Sequence, residues 1–178
     1  MKRSVFIATI IKQMADYDKG SPKHINHFLK VFSYARTIGI LEGLDKKNML
    51  ILETAAVLHD IGINVSKEKY DSSAGHYQEL EGPPIAKEML KKLGASDSLI
   101  HRVCYLIGHH HTYSAIEGMD YQILVEADFL VNCDEEQMTP EQIATVRSKY
   151  FRTKTGKRLL DDLFPPEPKE TDPEPTEA

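Results

Sequence analysis

An all-helical single domain of about six to eight helices is what this 178-residue sequence predicts, and three observations carry that expectation. Apolar residues recur at intervals of three and four in segment after segment, which places them on one face of a helix. No stretch alternates apolar and polar residues as a half-buried strand would, and no internal repeat is visible. Helix start and stop signals punctuate the chain: Ser21-Pro22, Ser96 and Thr139-Pro140-Glu141 open segments, and Gly94 closes one.

Phe6, Ile7, Ile10, Ile11 and Met14 define a first amphipathic helix, followed by a polar turn from Asp16 to Gly20. The second helix starts at Ser21-Pro22 and buries Phe28, Val31, Phe32, Ala35 and Ile38; projected one turn backwards, this stripe reaches His24 and His27. After a break over 39–45, Lys46 to Asp60 forms the third, in which Leu52, Ala55, Ala56 and His59 share a stripe and Gly62 is the stop. The polar stretch from Ser66 to Gly82 has no stripe and is expected to be a loop containing His76. Pro83-Pro84 opens the next helix, which carries Ile85, Ala86, Met89, Leu90 and Leu93. Ser96 caps a helix with Ile100, Val103 and Ile107 on one face, and continuing that face reaches His110 and His111 while His109 falls to the side. Thr112 to Gly118 is a loop, and Leu124, Ala127, Asp128 and Val131 then line up on a further helix. Another runs from Thr139 to about Phe151, with a basic turn over 154–157 and a last packed cluster of Leu159, Leu160, Leu163 and Phe164.

At 41% apolar content the chain can bury one substantial core. Of the formal charge of −5, residues 165–178 carry −4, from five acids and one lysine, so the remainder is nearly neutral and offers no basic grip for nucleic acid. Five prolines among those fourteen residues predict a flexible acidic tail. Cys104 and Cys133, without CxxC spacing, fit a reduced, cytoplasmic setting. No export signal is expected at the N-terminus, and no apolar run approaches the ~20 residues of a membrane span.

The polar residues expected to face inward are His27, His59, Asp60, His76, His110 and Asp128. Any one of them could be an ordinary core or surface residue. Together they form a mixed nitrogen and oxygen set that suits Fe, Mn, Co, Ni or Zn, because a buried carboxylate needs a cation. Six ligands suggest two ions, with Asp60 between them.

The order of these residues resembles the HD superfamily of metal-dependent phosphohydrolases. The resemblance rests on His27-Phe-Leu-Lys-Val31, on Leu58-His59-Asp60-Ile61-Gly62 and on Val125-Glu126-Ala127-Asp128-Phe129, and spans 21 to about 133. Gly75-His76 and Ile107-Gly108-His109-His110-His111 look like the extra histidines of its binuclear branch, which includes HD-type diadenosine tetraphosphate hydrolases and cyclic-dinucleotide phosphodiesterases. Ile63 after HDIG, and Thr112-Tyr113 after the histidines, depart from the cyclic-dinucleotide pattern and argue against that substrate.

The resemblance implies His27, His59, Asp60 and Asp128 as ligands of one ion, with Asp60 bridging to a second held by His76 and His110; His111 is a rival to His110. It implies two divalent transition metal ions, iron foremost, and hydrolysis of a phosphoester or phosphoanhydride by a metal-bound hydroxide. The substrate would be a nucleotide or small phosphorylated metabolite, with Lys67 and Lys69 as candidate phosphate contacts and a homodimer as a compatible assembly. The expected organisation is an N-terminal helix over 1–20, an HD core over 21–133, a helical extension over 134–164 and the tail over 165–178. Two other readings share this ligand order: an HD-type di-iron oxygenase, and a metal-containing sensor or binding module without catalysis.

Overall fold

The computed structural model describes residues 2–165, so the proline-rich tail lies outside the described residues apart from Pro165. Among those residues the fold is all-helical, with nine α-helices and one 3₁₀ turn at Tyr113–Ala115. The helices are α1 (Arg3–Tyr17), α2 (Pro22–Leu41), α3 (Lys46–Leu58), α4 (Ile63–Tyr70), α5 (Gly75–Lys92), α6 (Asp97–Ile107), α7 (Met119–Glu135), α8 (Pro140–Tyr150) and α9 (Lys154–Leu163).

Two helices form the centre. Every residue of α3 from Ile51 to Leu58 is buried, and so is every residue of α7 from Tyr121 to Val131 except Gln122. A helix apolar on all sides belongs inside a bundle, and α1, α2, α6 and α7 pack around α3. The single stripe expected on α3 is therefore one side of a wholly enclosed helix. Its lone internal carboxylate, Glu53, is satisfied by Arg3 of α1 at 2.8 Å and by Arg36 of α2.

Local signals set the helix starts. Asp45 accepts from the backbone of Lys47 and Asn48, Ser96 from Leu99, and Thr139 forms a capping box with Gln142. Ser21 stands at the N-cap of α2 without a side-chain capping bond, leaving Pro22 as the operative signal.

Three stretches differ from expectation. The expected loop over 66–82 is largely helical: α4 ends at Asp71, whose left-handed φ of 51° turns the chain, and α5 begins at Gly75. Pro83 and Pro84 accordingly lie inside α5 instead of opening it. The basic turn over 154–157 is the first turn of α9, capped by Thr153. The stretch Lys46–Tyr70 is also long and apolar enough, at mean hydropathy 1.3, to meet the criteria of a membrane span, contrary to the expectation from run length. It is two helices broken by the turn at 59–62, and 72% of its apolar window is buried inside the fold.

Candidate metal centre

The turn that ends α3 builds the site. His59, the first residue past the helix, is fully buried, and Asp60 follows with its side chain 18% exposed toward a cavity. Gly62 permits the turn to sit against α5, because a Cβ there would lie 2.7 Å from the Gln78 carbonyl oxygen. α2 supplies His27 and α7 supplies Asp128, both buried.

Their donor atoms converge. His27 Nε2 stands 3.3 Å from His59 Nε2, 3.4 Å from Asp60 Oδ2 and 3.2 Å from Asp128 Oδ1. His59 Nε2 is 3.3 Å from Asp60 Oδ2 and 3.5 Å from Asp128 Oδ1. The other oxygen of Asp60 faces a second set: Oδ1 is 3.5 Å from His110 Nε2, and Asp60, His110 and His111 offer donor atoms within 4.8 Å of one another.

Each imidazole is aimed from behind. His59 Nδ1 donates to the Ala56 carbonyl at 2.9 Å, His110 Nδ1 to the Ile107 carbonyl at 2.8 Å, and His27 Nδ1 to Glu135 at 3.0 Å. With Nδ1 committed as donor, the neutral ring presents its Nε2 lone pair to the cluster, which is how metal-binding histidines are ordinarily held. Lys30 steadies Glu135 from outside at 3.0 Å. The turn carrying His110 is pinned by Glu79, which accepts from the His111 backbone N–H at 2.9 Å and the Thr112 hydroxyl at 3.0 Å.

These residues fit a cation on two counts. Donor separations of 3.2–3.5 Å match ligands around a common ion at bond lengths of about 2.0–2.1 Å. His110 Nε2, His111 Nε2 and Asp128 Oδ1 are buried without a hydrogen-bond partner, an arrangement that is costly unless something positive or proton-bearing completes it.

The titration directions agree. Burial opposes charge on His59, yet adjacent Asp60 and the nearby carboxylate of Asp128 outweigh it and raise its pKa well above the ordinary value. Burial likewise opposes charge on His27, and Asp128 reverses the sign. Asp60 and Asp128 are held below the usual carboxylate range despite burial, Asp60 by His59 and His110, Asp128 by His27 and His59. His111 is pushed down to about 4 by burial and by His110, so it stands neutral and free to donate its lone pair. In the metal-free protein, protons on His27 and His59 thus compensate the two carboxylates, and a cation must displace them. The affinity for Mn²⁺ or Co²⁺ should therefore rise with pH from about 6 until the raised histidine pKa values are passed, at roughly tenfold per pH unit for each displaced proton. Calorimetric titration in two buffers of different ionisation enthalpy measures that release, and an affinity independent of pH would contradict it.

Of the residues expected from sequence, His27, His59, Asp60, His110 and Asp128 are brought together. His76 is not: it is exposed at the first turn of α5, with its ring 3.9 Å from that of Tyr77. His111 stands in the second set instead. His109 turns away, its Nδ1 donating to the Tyr105 carbonyl at 2.7 Å. A cavity of about 400 Å³ opens over the centre; Lys67 lines it, and so do His24, which the α2 stripe reached, and Lys23 and Gln78, which sequence reasoning did not single out. Lys69 does not line it and is paired with Glu81 at 2.7 Å.

The HD domain family model matches residues 25–151. Among solved structures, a predicted HD superfamily hydrolase from an uncultured Thermotogales bacterium shares the fold at a TM-score of 0.64, with 24% identity over 87% of this chain and 83% of the other. No curated protein matches the chain.

Proposed function

The chain belongs to the HD domain family, and on that footing we propose that it is a metal-dependent phosphohydrolase cleaving a phosphoester or phosphoanhydride of a nucleotide or small phosphorylated metabolite. One observation carries the reading: the two oxygens of Asp60 face different imidazole sets, His27 and His59 on one side and His110 on the other, beneath an open cavity. A carboxylate so placed would serve two cations at once, one through each oxygen. Divalent ions held there would supply Lewis acidity, lowering the pKa of water towards ~7 and neutralising phosphoryl oxygens.

The protein's own groups do the rest. His27, His59 and Asp128 complete the first position, held in register by Glu135 and the Ala56 carbonyl. The ligand carboxylates Asp60 and Asp128 would balance half the charge of two divalent ions, and with Glu135 and Glu136 also on the cavity wall the phosphate would be drawn by the ions directly. Lys23 and Lys67, on the cavity wall and without an ion-pair partner among the described residues, are placed to meet further anionic oxygens of the substrate. No side-chain nucleophile is required, since water can attack phosphorus directly.

The test is release of inorganic phosphate from a panel of nucleotides, dinucleoside polyphosphates and sugar phosphates by protein loaded with Mn, Fe, Co or Ni. Turnover on at least one class is expected. Protein that retains its ions yet cuts nothing on the panel would sink the proposal.

A further inference from the structure

Four buried polar atoms without a hydrogen-bond partner belong to the cavity or the cluster beneath it: Gln78 Oε1, His110 Nε2, His111 Nε2 and Asp128 Oδ1. Asp128, His110 and His111 belong to the two donor sets described above. Gln78 does not.

Gln78 is 6% exposed, and its amide orientation is fixed, because Nε2 donates to the Ser73 carbonyl at 2.7 Å. That leaves Oε1 as an acceptor with nothing to accept. Its backbone presses against Gly62, two residues beyond Asp60. His111 reaches the same region from the other side, packed on the bare Cα of Gly75, where a Cβ would lie 2.6 Å from its ring. Glu79 holds its backbone N–H. Its donor atom, those of Asp60 and of His110 form a close set.

We infer that the second cation is held by Asp60, His110, His111 and the side-chain oxygen of Gln78, with His76 outside the site. This inference rests on the metal-dependent reading above and assigns the ligands of its second ion. A neutral amide oxygen is a weaker ligand than a carboxylate or imidazole for a transition ion. The second position therefore fills after the first.

Calorimetric titration of the metal-free full chain with Mn²⁺, with metal content measured after gel filtration, tests the assignment. The unaltered protein should take up two ions per chain, the second more weakly. Gln78→Leu and His111→Ala should each weaken the second ion at least tenfold and leave the first unchanged, while His76→Ala should behave as the unaltered protein. Gln78→His keeps an N–H for Ser73 and offers nitrogen in place of the amide oxygen, so it should tighten the second ion at least tenfold, a gain that misfolding cannot imitate. The assignment is overturned by loss of the second ion in His76→Ala, by either Gln78→Leu or His111→Ala keeping it at full affinity, or by no tightening in Gln78→His. Uptake of a single ion by the unaltered protein would overturn it and leave the first position standing, whereas uptake of none would remove the metal-dependent reading itself.

Discussion

Asp60→Asn is expected to lower phosphate release by at least about a thousandfold, roughly 4 kcal/mol of transition-state stabilisation, and to strip the protein of tightly held metal. The substitution keeps the side chain's shape, so α3 and the 59–62 turn should still fold. It replaces one oxygen with an N–H₂ group that carries hydrogens toward imidazole nitrogens where a lone pair is needed. One amide oxygen cannot face His27 and His59 at 3.4 and 3.3 Å and His110 at 3.5 Å together, so one of the two proposed cation positions loses its ligand and the other keeps only a neutral one. It also removes one of the two negative charges that draw cations into the cluster. Metal content and phosphate release on the same sample check the expectation, with exposed His101→Ala as a control that should change neither. A variant that keeps two ions and unaltered turnover would show that Asp60 is no bridge.

Most of this centre was legible because its members extend helical stripes. His59 follows Leu52, Ala55 and Ala56 on a helix whose period is unambiguous, and Asp128 shares a face with Leu124 and Val131. His110 continues Val103 and Ile107, although phase alone did not choose between it and His111, and the structure brings both inward. The reading slipped at α5. Two prolines suggested a helix start at 83, yet the buried residues Leu90, Ala86, Gly82 and Gln78 recur every fourth position back through them. Stepping by four from Leu90 therefore reaches Gln78. His76, two residues earlier, falls about 200° away on the opposite face at 3.6 residues per turn, and is exposed. An amide also carries no charge to draw attention as a ligand. α4 escaped notice for a different reason: only Ser66 is buried along it, so it has no apolar stripe to read.

Glu126→Ala should cost roughly 3–5 kcal/mol of stability without disturbing the metal centre, which separates folding from chemistry on the same helix. The Glu126 side chain is fully buried, yet it bonds no cation among the described residues; it accepts from the backbone N–H groups of Arg152 at 2.6 Å and Thr153 at 2.9 Å, and from the Thr153 hydroxyl. Gln122 donates to it at 2.7 Å from one turn earlier. It thereby fixes the entry to α9 against the interior of α7. Removing the carboxylate strands several buried donors at about 1–3 kcal/mol apiece and leaves a cavity as well. At about 2–4 °C per kcal/mol for a chain of this size, the melting temperature should fall by roughly 10 °C. Glu126 and Asp128 are two residues apart and so point to opposite sides of α7. Manganese uptake measured well below the transition should therefore match the unaltered protein. Glu126→Gln keeps one acceptor oxygen and should recover part of the loss. A fall of under about 1 kcal/mol in Glu126→Ala would mean that water satisfies these donors, and a loss of metal at low temperature would mean that α9 docking also holds Asp128 in place.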